Sequence, residues 1–160
     1  MVRIELATVI AAPLERCFDL SRSIDLHMAS TNWTGEKAIC GVTSGLIGPN
    51  EEVTWQGRHF GLMLTHASRI TAFNRPHHFQ DCMLHGRFQT FCHDHHFEEQ
   101  GNGTMMRDQM VFEAPFGVVG RMLETLLLES HMRDLLVRRN EAVKRAAESG
   151  EWRKYLVKVD

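Results

Sequence analysis

A chain of 160 residues with 18 basic and 20 acidic side chains has a formal net charge of −2, and 43% of its residues are apolar. That balance excludes disordered and collagen-like chains, and without a basic block the chain lacks the electrostatic footprint of a nucleic-acid binder. No apolar run approaches the roughly 20 residues that an integral membrane span requires. From the start, residues 2–10 alternate: Ile4, Leu6, Thr8 and Ile10 share one face, against Arg3, Glu5, Ala7 and Val9. A period of two predicts a half-buried strand, and the alternating start is not expected to be a signal peptide. Pro13 suits the first position of a helix, where a missing N–H costs nothing, and Leu14, Cys17 and Phe18 follow at helical spacing. A second short helix is expected at Ser23, a capping residue, with Asp25 favouring its positive end.

Residues 34–113 read as six strands, 35–43, 51–60, 62–73, 77–84, 87–99 and 104–113, separated by Gly-, Pro- and Asn-rich turns. Closely spaced turns with no helix between them predict an antiparallel meander. The pattern changes at Pro115-Phe116-Gly117. Apolar residues then recur at helical spacing through Val119, Met122, Leu123, Leu126, Leu128, Met132, Leu135, Leu136 and Val143. A helix over 118–148 would be roughly 46 Å long, so it must lie across something wide, and the sheet is the candidate. Charges crowd its second half (Arg138, Arg139, Glu141, Lys144, Arg145, Glu148), which predicts an end leaving the core for solvent. Residues 1–150 form one domain, and 151–160 read as a tail with Trp152, Tyr155 and Leu156 available to dock back.

This order of elements resembles the helix-grip fold of the START-like (SRPBCC) superfamily, in particular its bacterial polyketide cyclase/dehydrase-like branch. The opening IAAPLERCFDL and the later EEVTWQGRHFG, SRITAFNRPHHFQD, FCHDHHFE and GTMMRDQMVFEAPFG are similar to successive elements of that branch. The resemblance implies an α+β fold: a curved seven-stranded antiparallel sheet around a long C-terminal helix, with two short helices between strands 1 and 2. Such a sheet and helix leave a concave, mostly apolar space, the setting in which small ligands bind. Membership implies the fold more firmly than the function.

Alternation places the chemistry. Phe91, His93, His95 and Phe97 share one strand face, and Met106, Asp108, Met110 and Phe112 share another. The aromatic and apolar members mark these faces as inward, so His93 or His95 is expected near Asp108, a carboxylate that needs a partner once buried. Val53, Trp55, Gly57 and His59 form a third inward face. The expected ligand-binding set is Trp55, His59, Phe91, His93, His95, Asp108, Met110, Phe112, Met122 and Leu126. His93, His95 and Asp108 are also the catalytic candidates, and a register-fixing polar network is an equally open reading of them.

No metal and no cofactor are expected. His-x-His, with Gly86 ahead and Glu99 behind, outlines the first cupin motif, but Pro115-Phe116-Gly117 opens a helix instead of leading to the second motif's histidine. His77, His78 and His96 are expected in solvent. Cys17, Cys40, Cys82 and Cys92 are scattered without a CxxC pair and read as reduced thiols, which predicts a cytoplasmic chain. The function expected is binding or carriage of a small hydrophobic molecule such as a lipid, isoprenoid, quinone or polyketide. A cyclase or aromatase acting through the His/Asp cluster is one alternative. A partner-binding protein is another, and a homodimer stays open.

Overall fold

A computed structural model describes residues 1–113 and 121–157, with side chains at all of these except 121–125. Strand β1 (Val2–Ile10) leads into helices α1 (Leu14–Ser21) and α2 (Ile24–Ser30). The strands β2 (Lys37–Gly41), β3 (Glu52–His59), β4 (Leu62–Asn74), β5 (His78–His85), β6 (Thr90–Gln100) and β7 (Gly103–Glu113) follow. Helices α3 (Arg121–Glu148) and α4 (Trp152–Leu156) close the chain. The strands form one antiparallel sheet in the order β1-β7-β6-β5-β4-β3-β2. The two short helices carry the chain from one edge of that sheet to the other.

Local chemistry accounts for these elements. Pro13 stands at the N-cap of α1, one place earlier than expected, and Ser23 caps α2 by accepting from the Leu26 amide at 3.3 Å. On β1 the alternation holds, with Ile4 and Ile10 fully buried and Arg3, Glu5, Ala7 and Val9 exposed. The core divides in two. In one part Phe18 of α1 sits edge-on to Phe73, Phe79 and Phe97, with ring centroids 5.4 Å apart in each pair. In the other, Ile4, Phe91, Met110 and Phe112 meet Leu136 of α3. The Pro115-Phe116-Gly117 break and Val119 lie outside the described residues, as do the side chains of Met122 and Leu123.

Three expectations are corrected. The second half of α3 does not leave the core: Leu136, Arg139, Asn140, Ala142, Val143, Ala146 and Ala147 are buried there, and α3 packs on β1, α1 and α2. Alanines let that face approach closely, while Arg138, Glu141, Arg145 and Glu148 point outward. Bonds from the Ala11 amide to Glu148 Oε1 (2.9 Å), from Arg16 Nη1 to the Ala147 carbonyl (3.1 Å) and from Lys144 Nζ to the Val9 carbonyl hold this end. Leu126 and Leu127 of the first half are instead more than half exposed.

Second, Cys82 and Cys92 are joined in a disulfide, because the β5–β6 register sets them directly opposite each other. Cys17 and Cys40 remain free thiols. The cytoplasmic reading rested on four reduced thiols, and for two of them that ground is gone. Third, His78 is not simply solvated. Its Nε2 lies 2.8 Å from Asp94 Oδ1 and its ring stacks on the exposed His96.

The tail forms α4, which packs Trp152, Tyr155 and Leu156 on the core, with Arg16 over the Trp152 ring at 4.5 Å. No described helix is long and apolar enough to cross a membrane.

Candidate functional site

Between the concave face of the sheet and α3 lies a cavity of about 820 Å³, within the range that holds a small organic ligand. Strands β3 to β7 supply its floor through Val53, Ser68, Ile70, Phe79 and Met110, and α3 its roof through Leu128, Met132 and Leu136. Phe60, Leu62 and Leu127 line it as well and are 61%, 62% and 57% exposed, which marks the mouth.

The inner end carries a buried polar network. Register places Asp81 opposite His93 and His95 opposite Asp108, so three neighbouring strands bring their polar groups together. Asp108 Oδ1 lies 3.0 Å from His93 Nε2 and 2.8 Å from His95 Nδ1, and Asp108 Oδ2 accepts from Asn140 Nδ2 at 2.7 Å. A carboxylate only accepts, so both ring nitrogens facing it carry the proton. His95 Nε2 meets a second carboxylate, Asp81 Oδ1, at 3.3 Å. Arg139 of α3 donates Nη2 to the Ser21 carbonyl at 2.5 Å, and its Nη1 stands 3.7 Å from Asp108 Oδ1. Arg139 Nη1 and Asn140 Oδ1 have no hydrogen-bond partner among the described residues.

These contacts set the charges. Burial by itself would raise the Asp108 and Asp81 carboxyls, but hydrogen bonds from His93 and His95 to Asp108, and from His95 to Asp81, hold both below the usual range, Asp108 well below it. Burial, reinforced by the neighbouring His95, pushes His93 down to about 4 against the pull of Asp108. At neutral pH His93 is therefore neutral and Asp108 ionised.

A second polar cluster lies toward the mouth. Glu36 Oε1 is 2.7 Å from His27 Nε2 and Glu36 Oε2 is 3.6 Å from His59 Nε2, while His59 Nδ1 meets His131 Nε2 of α3 at 3.0 Å. His27 stacks on Trp55, and Phe60 packs on His131. Burial works to raise the Glu36 carboxyl, and the hydrogen bond from His27 together with the nearby His59 imidazole overcomes it, leaving it far below the usual range. Gly57 makes the cluster possible, since a Cβ there would sit 3.2 to 3.3 Å from the Cα, Cβ and Cγ of Glu36. Gly57→Ala is expected to cost about 1–3 kcal/mol by overpacking. Urea titration checks this, and an unchanged midpoint would rule out the close contact.

Of the expected ligand-binding residues, Trp55, His59, Phe91, His93, His95 and Met110 line the cavity. Asp108 and Phe112 are 2% and 0% exposed and lie behind that lining. Leu126 is 59% exposed and points elsewhere. A helix turns about 100° per residue, so the face meeting the cavity runs through Leu127, Leu128, His131 and Leu135 instead. The Met122 side chain lies outside the described residues. Asp81, His66, His131 and Arg139 also line the cavity and were not in the expected set. Asp81 was legible, since it alternates with Phe79 and Met83 on one strand. Arg139 lies three residues after Leu136 on the helix, but its charge reads as solvated.

No protein-family model matches the chain, and no curated protein matches its sequence. Solved structures do match. The Zhui aromatase/cyclase from Streptomyces sp. R1128 superposes with a TM-score of 0.71 at 14% identity, over 92% of this chain and 93% of that one. The protein TTHA0849 from Thermus thermophilus gives 0.70 at 16% identity, over 91% and 99%. The ginseng major latex-like protein 151 from Panax ginseng gives 0.65 at 12% identity, over 92% and 98%. An open antiparallel sheet curved around one long helix over a cavity defines a helix-grip protein. The chain has the helix-grip fold. At these identities the likeness carries the fold and leaves the ligand to the site.

Proposed function

We propose that this protein binds a small, largely apolar molecule in the cavity between α3 and the sheet. The observation that carries the reading is the cavity itself, about 820 Å³ with an apolar floor and roof. Two clusters of polar groups converge on it, His93 and His95 within and His27, Glu36 and His59 toward the mouth, which is how a site orients a mainly hydrophobic guest. The chemical classes that fit are lipids, isoprenoids, quinones and polyketides.

Native mass spectrometry and displacement of an environment-sensitive fluorophore by members of these classes test the reading, with one molecule per chain expected. Ser68 is 3% exposed on the floor, so Ser68→Trp is expected to weaken binding at least about tenfold by filling the space, a loss of about 1.4 kcal/mol. Failure of every class to bind at high micromolar concentration would sink the proposal, as would unaltered affinity in a folded Ser68→Trp variant.

A second reading, an enzyme of cyclase or aromatase type, is favoured by one observation: His93 and His95 line the cavity with Asp108 behind them. A poly-β-keto thioester is the probe. Turnover that disappears in His93→Ala while the variant stays folded supports this reading, and absence of turnover by the wild type removes it.

A further inference from the structure

His95 is held between two carboxylates, Asp108 Oδ1 at Nδ1 (2.8 Å) and Asp81 Oδ1 at Nε2 (3.3 Å). A neutral imidazole has one N–H to donate, and a carboxylate has none. Held by both carboxylates, His95 either carries a proton on each nitrogen or, with its one N–H on Asp108, leaves Nε2 free beside Asp81, where a bound metal cation would take the place of the second proton. Apart from the imidazoles, Asp81 and Asp108 supply two negative charges here, and Arg139, 3.7 Å from Asp108, supplies one positive.

The neighbouring side chain completes a donor set. His93 also turns Nε2 to Asp108, and a ligand atom from each of Asp81, His93 and His95 lies within 4.8 Å of the other two. The 3.3 Å between His95 Nε2 and Asp81 Oδ1 is already the edge of a tetrahedron with metal–ligand bonds of about 2.0–2.1 Å. Asp108 faces one nitrogen of each imidazole and leaves the other for a metal, the carboxylate–histidine support that fixes tautomer and ring orientation around bound metals. All three donors line the cavity, whereas Asp108 does not.

We propose that Asp81, His93 and His95 form a site for a divalent first-row metal, zinc or ferrous iron, with its open coordination positions facing the cavity. Two imidazoles and one carboxylate are the donor set such ions accept. The outline of His-x-His on one strand was visible in the sequence. Asp81 becomes the third donor only through the β5–β6 register. The site stands independently of which organic molecule, if any, the cavity takes.

The test uses metal alone. Full-length protein, stripped with chelator, is dialysed against Zn²⁺ at neutral pH, and metal content and affinity are measured for the wild type, Asp81→Asn and His96→Ala. The last variant controls for the outward-facing His78, Asp94 and His96, which also lie close together. One tight equivalent is expected in the wild type and in His96→Ala. In Asp81→Asn the affinity is expected to fall at least about tenfold, since losing even a supporting residue costs that much. Co²⁺ loaded into the wild type answers without any variant, by visible bands showing nitrogen and oxygen coordination at low coordination number. No stoichiometric uptake, uptake lost in His96→Ala, or affinity unchanged in Asp81→Asn would overturn the proposal.

Discussion

Replacing Asp108 with alanine is expected to destabilise the protein by about 3–5 kcal/mol, the usual cost of removing one partner from a buried charged network. Asp108 is 2% exposed and accepts from His93, His95 and Asn140, with the Arg139 guanidinium close by. Without the carboxylate, two imidazole N–H groups and an amide lose their acceptor, and the buried Arg139 charge loses its nearest counter-charge. The network sits behind the cavity lining, so those bonds are not readily replaced from solvent. In a chain of this length such a loss lowers Tm by about 10 °C or more. Asp108→Asn keeps the shape and is expected to cost less, but its amide brings donors against donors, so recovery is incomplete. Urea and thermal denaturation measure both variants. A loss below about 1 kcal/mol for Asp108→Ala would show that the network does not hold the sheet to the helix.

Acidification is expected to remove stability in two stages. His93 titrates at about 4 in the folded chain, below its ordinary value of 6.5. A lowered folded value means that the unfolded chain binds the proton more readily. The contribution is complete above 6.5 and is lost as pH falls from 6.5 toward 4. For a buried group that difference corresponds to about 3 kcal/mol. His66 and His131 are lowered too, chiefly by burial, and act in the same direction. The second stage belongs to Glu36, Asp81 and Asp108, whose folded values are also depressed. Their contribution is present above the ordinary carboxylate range near pH 4 and is lost below it. Denaturant midpoints across this range should fall first between about pH 6.5 and 4, then more steeply. His93→Gln is expected to shrink the first stage to the share of His66 and His131 and leave the second. A flat profile between about pH 7 and 4.5 would contradict the burial of a neutral His93.

Both expectations rest on a network that was partly readable in advance. Period-two alternation, with Phe91 and Phe97 flanking His93 and His95 and with Met106 and Met110 flanking Asp108, was enough to turn these polar groups inward. The same alternation marked Val53, Trp55, Gly57 and His59 as one face. Element order followed from equally local signals: the spacing of turns, the change of period after residue 113 and the caps at Pro13 and Ser23. These are properties of a few consecutive residues, so the sequence by itself determined the order of strands and helices and which side of each strand faces in.

Partners across the sheet are another matter. Cys82 against Cys92 and Asp81 against His93 depend on the β5–β6 register, which a bulge or one residue of turn would shift. The cluster of His27, Glu36, His59 and His131 draws on α2, the loop before β2, β3 and α3, so only tertiary packing assembles it. The rotation of α3 was also beyond local reading. Charged residues with long side chains occur on a helix whether its other face is buried or not, and here Ala142, Ala146 and Ala147 bury the half that its charges made look exposed. Local periodicity settles which face of a strand turns inward. Which side chains then meet across the cavity floor, and so whether His93 and His95 face one carboxylate or two, is decided by pairings between distant segments of the chain.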